Sequence, residues 1–189
     1  MTSAADPDHV TRTTETVLDI ASDVIRLLDE TGGTLGVAES LTAGSLMAAV
    51  TSVPGAGSVF RGGVVSYATP LKQALLGVDP ALIARGGVIC GDVAAQMAEG
   101  ARRATTFEGS TPTTWGIGTT GGAGPDPQDG KPPGTVYIGI ASPEGSRAFG
   151  PFGFPGSRDS VREATVLEAL ARLRDELAAR AVGMGTKGA

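Results

Sequence analysis

Apolar residues recur along this chain with two different periods, and their alternation sets the expected order of elements. Val17, Ala21, Val24 and Leu28 follow helical spacing, widened by Leu18, Ile20, Ile25 and Leu27. Asp6-Pro7 offers an N-cap and a first-turn proline, so this helix is expected to run from there to about Glu30, behind a loose leader at residues 1 to 6. Gly32-Gly33 ends it, and Thr34 to Ala38 reads as a strand. Leu46, Met47 and Val50 place a second helix from Leu41 to about Val53, broken by Pro54-Gly55-Ala56-Gly57. Gly62 to Tyr67 reads as a short buried strand. Three helices follow, the first capped at Thr69-Pro70 and carrying Lys72, the second from Asp79-Pro80 to Gly86-Gly87, the third from about Gly91 to Thr105 on Val93, Met97 and Ala101. Thr114 to Thr119 is another buried strand. Val136 to Ala141 and Arg147 to Phe154 form a pair around the turn Ser142-Pro143-Glu144-Gly145. A last helix runs from Arg158 to about Val182, with Val161, Thr165, Leu167, Leu170, Leu173 and Leu177 inward, before a frayed tail from Gly183 to Ala189.

This order implies a three-layer α/β/α sandwich with about five strands, made mixed by the hairpin. The 189 residues suit one domain with a single core. Only the stretch from Thr120 to Gly134 lacks periodicity; rich in Gly, Pro and Asp, it marks a functional loop or local disorder.

Composition narrows the function classes. A net charge of -5, with Arg102-Arg103 as the one basic pair, leaves no footprint for nucleic acid. One cysteine, Cys90, and one histidine, His9, cannot build a disulfide or a Cys/His zinc site, and no metal or cofactor is expected. No apolar run reaches membrane-spanning length, and Asp6 and Asp8 stand where a signal peptide needs a basic start, so a cytoplasmic protein is expected.

Candidate chemistry centres on Ser40, in Val37-Ala38-Glu39-Ser40-Leu41-Thr42-Ala43-Gly44 at a strand-to-helix turn. There its hydroxyl faces a crevice and the next helix offers N–H groups to an oxyanion; a helix N-cap is the competing role. Lacking a catalytic histidine, a serine nucleophile needs another base. Tyr67 closes a strand and Lys72 lies one turn into the following helix, so both side chains can converge on one crevice, and a desolvated lysine can take a proton. Read alone, Lys72 is more often a solvated helix residue, and Tyr67 a strand residue packing its ring. Gly121-Gly122-Ala123-Gly124-Pro125 allows close passage of a ligand, or merely a tight turn. Arg158, at the start of the last helix, suits a phosphate or carboxylate, and Arg162 lies one turn on. Two other matches fail: Gly116-Ile117-Gly118-Thr119-Thr120-Gly121 has the letters of a dinucleotide fingerprint but runs into a Pro-rich loop, and Gly130-Lys131 is followed by Pro132 where a phosphate-binding loop needs Ser or Thr.

Ala38-Glu39-Ser40-Leu41-Thr42-Ala43-Gly44, Val53-Pro54-Gly55, Phe60 to Tyr67, Lys72 with Leu76-Gly77-Val78, Thr120 to Pro125, Lys131 to Val136 and Arg158 with Arg162, taken in order, resemble the CinA C-terminal domain family from about Leu18 to Leu177. The resemblance implies the same sandwich, self-association into a homo-oligomer, and, as in the family's nicotinamide-nucleotide amidases, hydrolysis of the carboxamide of nicotinamide mononucleotide. By it Ser40 matches the catalytic serine, with Tyr67 and Lys72 supporting; Thr42, Gly44, Thr120, Gly121, Gly124 and Arg158 are expected to bind the pyridine nucleotide. The alternative is a nucleotide-binding or regulatory module that keeps the pocket without turnover. The chain departs from the family by carrying Leu41 and Ala43 where Cys and Gly are usual, and Cys90 where Ser is usual.

Overall fold

The computed structural model describes residues 14–185, with side chains to 181. Its elements, in chain order, are α1 (Val17–Thr31), β1 (Leu35–Glu39), α2 (Ser45–Thr51), a short 3-10 turn (Ala56–Ser58), β2 (Phe60–Val65), α3 (Thr69–Leu76), α4 (Pro80–Gly86), α5 (Gly91–Ala104), β3 (Trp115–Gly121), β4 (Thr135–Ser142), β5 (Gly145–Gly153) and α6 (Arg158–Gly185). The expected α/β/α sandwich with a five-stranded mixed sheet is the fold observed. Strands lie in the order β2-β1-β3-β4-β5; β1 is parallel to both β2 and β3, whereas β3, β4 and β5 are successively antiparallel. No helix among the described residues is long and apolar enough to cross a membrane.

Side-chain alternation sorts the sheet into two faces. Leu35 and Val37 of β1, Trp115 and Ile117 of β3, and Val136, Ile138 and Ile140 of β4 pack with α1, α2 and α6 in the larger core. The opposite face is paved with glycine. A Cβ on Gly116, Gly118 or Gly139 would come within 2.1, 2.5 or 2.0 Å of a carbonyl oxygen of α5. The helix backbone therefore lies directly on the strands, and this close approach explains the glycines that mimic a dinucleotide fingerprint. Val93, Met97 and Ala101 of α5 complete the smaller core with Ala38, Leu76 and Val78.

Two helix starts differ from expectation. The Asp6-Pro7 start lies outside the described residues, and α1 begins at Val17 on a capping box: the Thr16 hydroxyl accepts from Asp19 N–H (3.2 Å) and the Asp19 carboxylate accepts from Thr16 N–H (2.9 Å). Likewise residues 41–44 form turns, and α2 begins only at Ser45, after Gly44 at φ 99°. At the other end, α6 continues through Gly185, past the expected frayed start at Gly183; residues 186–189 lie outside the described residues.

Candidate active site

Because β1, β2 and β3 are parallel, their carboxyl ends share one edge of the sheet. From β1 the chain moves to β2 on one side and later to β3 on the other, and such a reversal of strand order opens a crevice at that edge. Ser40 follows β1, Ser66 and Tyr67 follow β2, and Gly122 to Gly124 follow β3. A cavity of about 290 Å³ lies there, lined among others by Ser40, Tyr67, Lys72, Gly121, Gly124 and Arg158.

Lys72 is the unusual residue. Its side chain is 1% exposed, and Nζ lies 2.6 Å from Ser66 O, 3.3 Å from Tyr67 O and 3.0 Å from Ser40 Oγ. Burial pushes its pKa from the ordinary 10.5 down to about 8, against the opposing pull of the Asp129 carboxylate. When neutral, the amine can spend both N–H groups on the two carbonyls and turn its lone pair to the Ser40 hydroxyl. That is the arrangement a serine nucleophile and a lysine base require.

Ser40 is not a helix cap. Its N–H donates to Thr119 O (3.1 Å), continuing the β1–β3 ladder, and α2 starts five residues later. The cap is supplied by Glu39, fully buried at the end of β1: Oε2 accepts from Gly44 N–H (2.8 Å) and Leu46 N–H (3.1 Å), and Oε1 from Met47 N–H (2.9 Å). The N-terminal N–H groups of α2 expected to face an oxyanion are therefore taken by a carboxylate. No local capping motif reveals this role of Glu39, because its partners lie five to eight residues on.

Several expected ligand-binding residues do not reach the cavity. Thr42 is buried with its hydroxyl 2.9 Å from Thr119 Oγ1, Gly44 is turned to Glu39, and Thr120 donates its hydroxyl to Val88 O (2.7 Å). Each holds the frame of the site. Tyr67 lines the cavity and is 62% exposed, yet its contact with Lys72 is made by the backbone carbonyl. Arg158 is exposed on the cavity rim and donates Nη2 to Gly124 O. Arg162 donates from behind to Thr42 O (3.3 Å) and Ser45 Oγ (3.1 Å), bracing the turn that carries Ser40. Of the unusual residues, Leu41 lines the cavity, Ala43 is exposed with φ 49°, and Cys90 is the N-cap of α5 without a side-chain cap bond. Among the described residues no three His, Cys, Asp or Glu side chains gather to hold a metal ion.

Residues 17–177 match the CinA C-terminal domain. The chain belongs to the CinA C-terminal domain family. It is 44% identical over 155 residues to a CinA-like protein of Frankia casuarinae, covering 82% of this chain and 34% of that protein. It thus spans about a third of the length of such curated relatives. Solved CinA superfamily structures share the fold: the protein from Enterobacter cloacae superposes with a TM-score of 0.81 at 26% identity, covering 94% of this chain and 99% of that one. The protein from Klebsiella pneumoniae 700603 gives 0.80 at 25% identity, covering 87% and 99%.

Proposed function

We propose that the protein is a nicotinamide-nucleotide amidase that converts nicotinamide mononucleotide and water to nicotinate mononucleotide and ammonia. The observation that carries this reading is the 3.0 Å contact between Ser40 Oγ and the buried Lys72 Nζ at the cavity. Lys72 takes the Ser40 proton as Oγ bonds to the carboxamide carbon. It then passes the proton to the leaving nitrogen, ammonia departs, and an acyl ester remains on Ser40. Water, losing a proton to Lys72, attacks the ester; the acid product leaves and Ser40 regains its proton. With the α2 N–H groups taken by Glu39, the oxyanion donors on this turn are sought nearer the serine, at the N–H groups of Leu41 and Thr42. Arg158 on the rim is placed to meet the phosphate.

Family membership supports the substrate, and the serine–lysine contact supports the chemistry. Ammonia release from nicotinamide mononucleotide tests both: the purified protein is expected to release it, and a folded Ser40→Ala variant to bind the nucleotide without release. Binding by the parent protein without ammonia release would instead assign a non-catalytic nucleotide-binding module.

A further inference from the structure

The loop between β3 and β4 carries its own small hairpin. Gln128 and Lys131 pair as an antiparallel bridge, and the tip residues Asp129 and Gly130 both have positive φ, 52° and 69°. Pro125, Asp126, Pro127 and Gln128, at its base, form one wall of the cavity. From the tip, Asp129 Oδ2 accepts two backbone N–H groups of the segment between α4 and α5: Val88 (2.6 Å) and Ile89 (3.1 Å). The carbonyl of the same Val88 accepts the Thr120 hydroxyl. Val88, itself on the cavity wall, is held from both sides. Gly87 makes room for this contact, since a Cβ there would lie 2.3 Å from Asp129 Cγ.

We infer that Asp129 is a positioning residue that latches the 125–131 wall onto the Val88–Ile89 segment, and that this latch holds the substrate cavity in shape. The inference rests on the amidase reading for its kinetic readout and on geometry alone for the latch. Asp129 also bears on Lys72 through its charge. The ionisable groups around Lys72 are Asp126 and Asp129 from the hairpin loop, Arg158 from α6, Tyr67 beside it and Glu39 behind β1; among them Asp129 favours the Lys72 ammonium.

Two substitutions separate the roles. Asp129→Ala removes acceptor and charge together. Amide exchange at Val88 and Ile89, followed by NMR, is expected to accelerate at least tenfold, and KM for nicotinamide mononucleotide to rise on the order of tenfold. Asp129→Asn keeps one oxygen that can accept both N–H groups but loses the charge. Its exchange is expected to accelerate less than that of Asp129→Ala, because both N–H groups keep an acceptor and lose only its charge, while the acid limb of its kcat/KM profile moves to lower pH because Lys72 gives up its proton more easily. Parent-like exchange at Val88 and Ile89 in Asp129→Ala, an unchanged KM, or equal acceleration through β1 and β3 would overturn the latch. If the parent protein releases no ammonia, the amidase reading fails, and the latch is then decided by exchange together with calorimetric binding of the nucleotide.

Discussion

Glu39→Gln is the sharpest test of how the nucleophile turn is held. The parent carboxylate takes three backbone N–H groups with two oxygens and is fully shielded from bulk solvent. A glutamine in the same rotamer has one oxygen. Placed at the Oε2 position, it keeps Gly44 and Leu46, but its NH₂ group then meets Met47 N–H donor to donor; the opposite placement loses two bonds instead of one. A hydrogen bond to a charged group contributes about 1.5–3 kcal/mol, and the surviving two fall toward the neutral value of about 1 kcal/mol. The sum is a loss of about 2.5–7 kcal/mol, a large share of the roughly 5–15 kcal/mol that holds a domain together. For a chain of this size that lowers Tm by about 5–28 °C. Scanning calorimetry on parent and variant reads the shift directly. A Tm within about 2 °C of the parent would refute the argument, because it would mean that the α2 N–H groups find other acceptors at no cost.

Lys72→Arg is expected to be nearly as inactive as Lys72→Ala, since a guanidinium cannot take the serine proton, and near-normal turnover in Lys72→Arg would remove Lys72 from the base role. In the parent protein, on the amidase reading, kcat/KM should rise tenfold per pH unit below about 8, where the buried amine is mostly protonated, and level off above it; a profile flat from pH 6 to 9 would contradict that assignment. Arg158→Ala should weaken the nucleotide about 10- to 100-fold more than the phosphate-free riboside, as measured by the ratio of kcat/KM values, whereas equal losses would place Arg158 at the reacting centre. Ala43→Gly should stabilise the fold by about 0.5–1 kcal/mol in urea titrations, because Ala43 occupies the left-handed region at φ 49° on an exposed turn.

The fold was legible because its strands advertise two different faces. Leu35 and Val37, Trp115 and Ile117, and Val136, Ile138 and Ile140 alternate along β1, β3 and β4 with mostly small residues, and these runs, set among helical periods and followed by a hairpin, leave few architectures. What stayed hidden depends on contacts between elements. Local pattern starts α2 too early because Thr42 continues the four-residue spacing of Leu46 and Val50, while the carboxylate that fixes the true start sits back on β1. Asp129 reaches a partner about 40 positions away, which no window of sequence reveals. Thr42 and Thr120 stand at the right places in the chain, but their hydroxyls are spent on Thr119 and Val88.

The deepest departure from pattern is α3, and it falls at the candidate base. By hydropathy, Leu71 and Leu75 should turn inward and Lys72 outward. The structure inverts this: Leu71 and Leu75 are 40% and 51% exposed, while Lys72 and Leu76 form the buried stripe. A lysine lowered from 10.5 to about 8 by burial lowers stability at neutral pH by on the order of 3 kcal/mol relative to a lysine titrating normally. The sign follows from the direction of the shift: below pH 8 the folded state holds an ammonium it disfavours, and stability recovers as the pH rises toward 10.5 and the unfolded chain loses the same proton. Packing alone gives no reason to keep that cost, since a leucine at this position and a lysine at position 71 would satisfy the same helix with the usual pattern. The inversion gains one thing, an amine that is partly neutral near physiological pH and fixed 3.0 Å from a serine hydroxyl. Where local preference and structure disagree this far, the disagreement itself marks the candidate site.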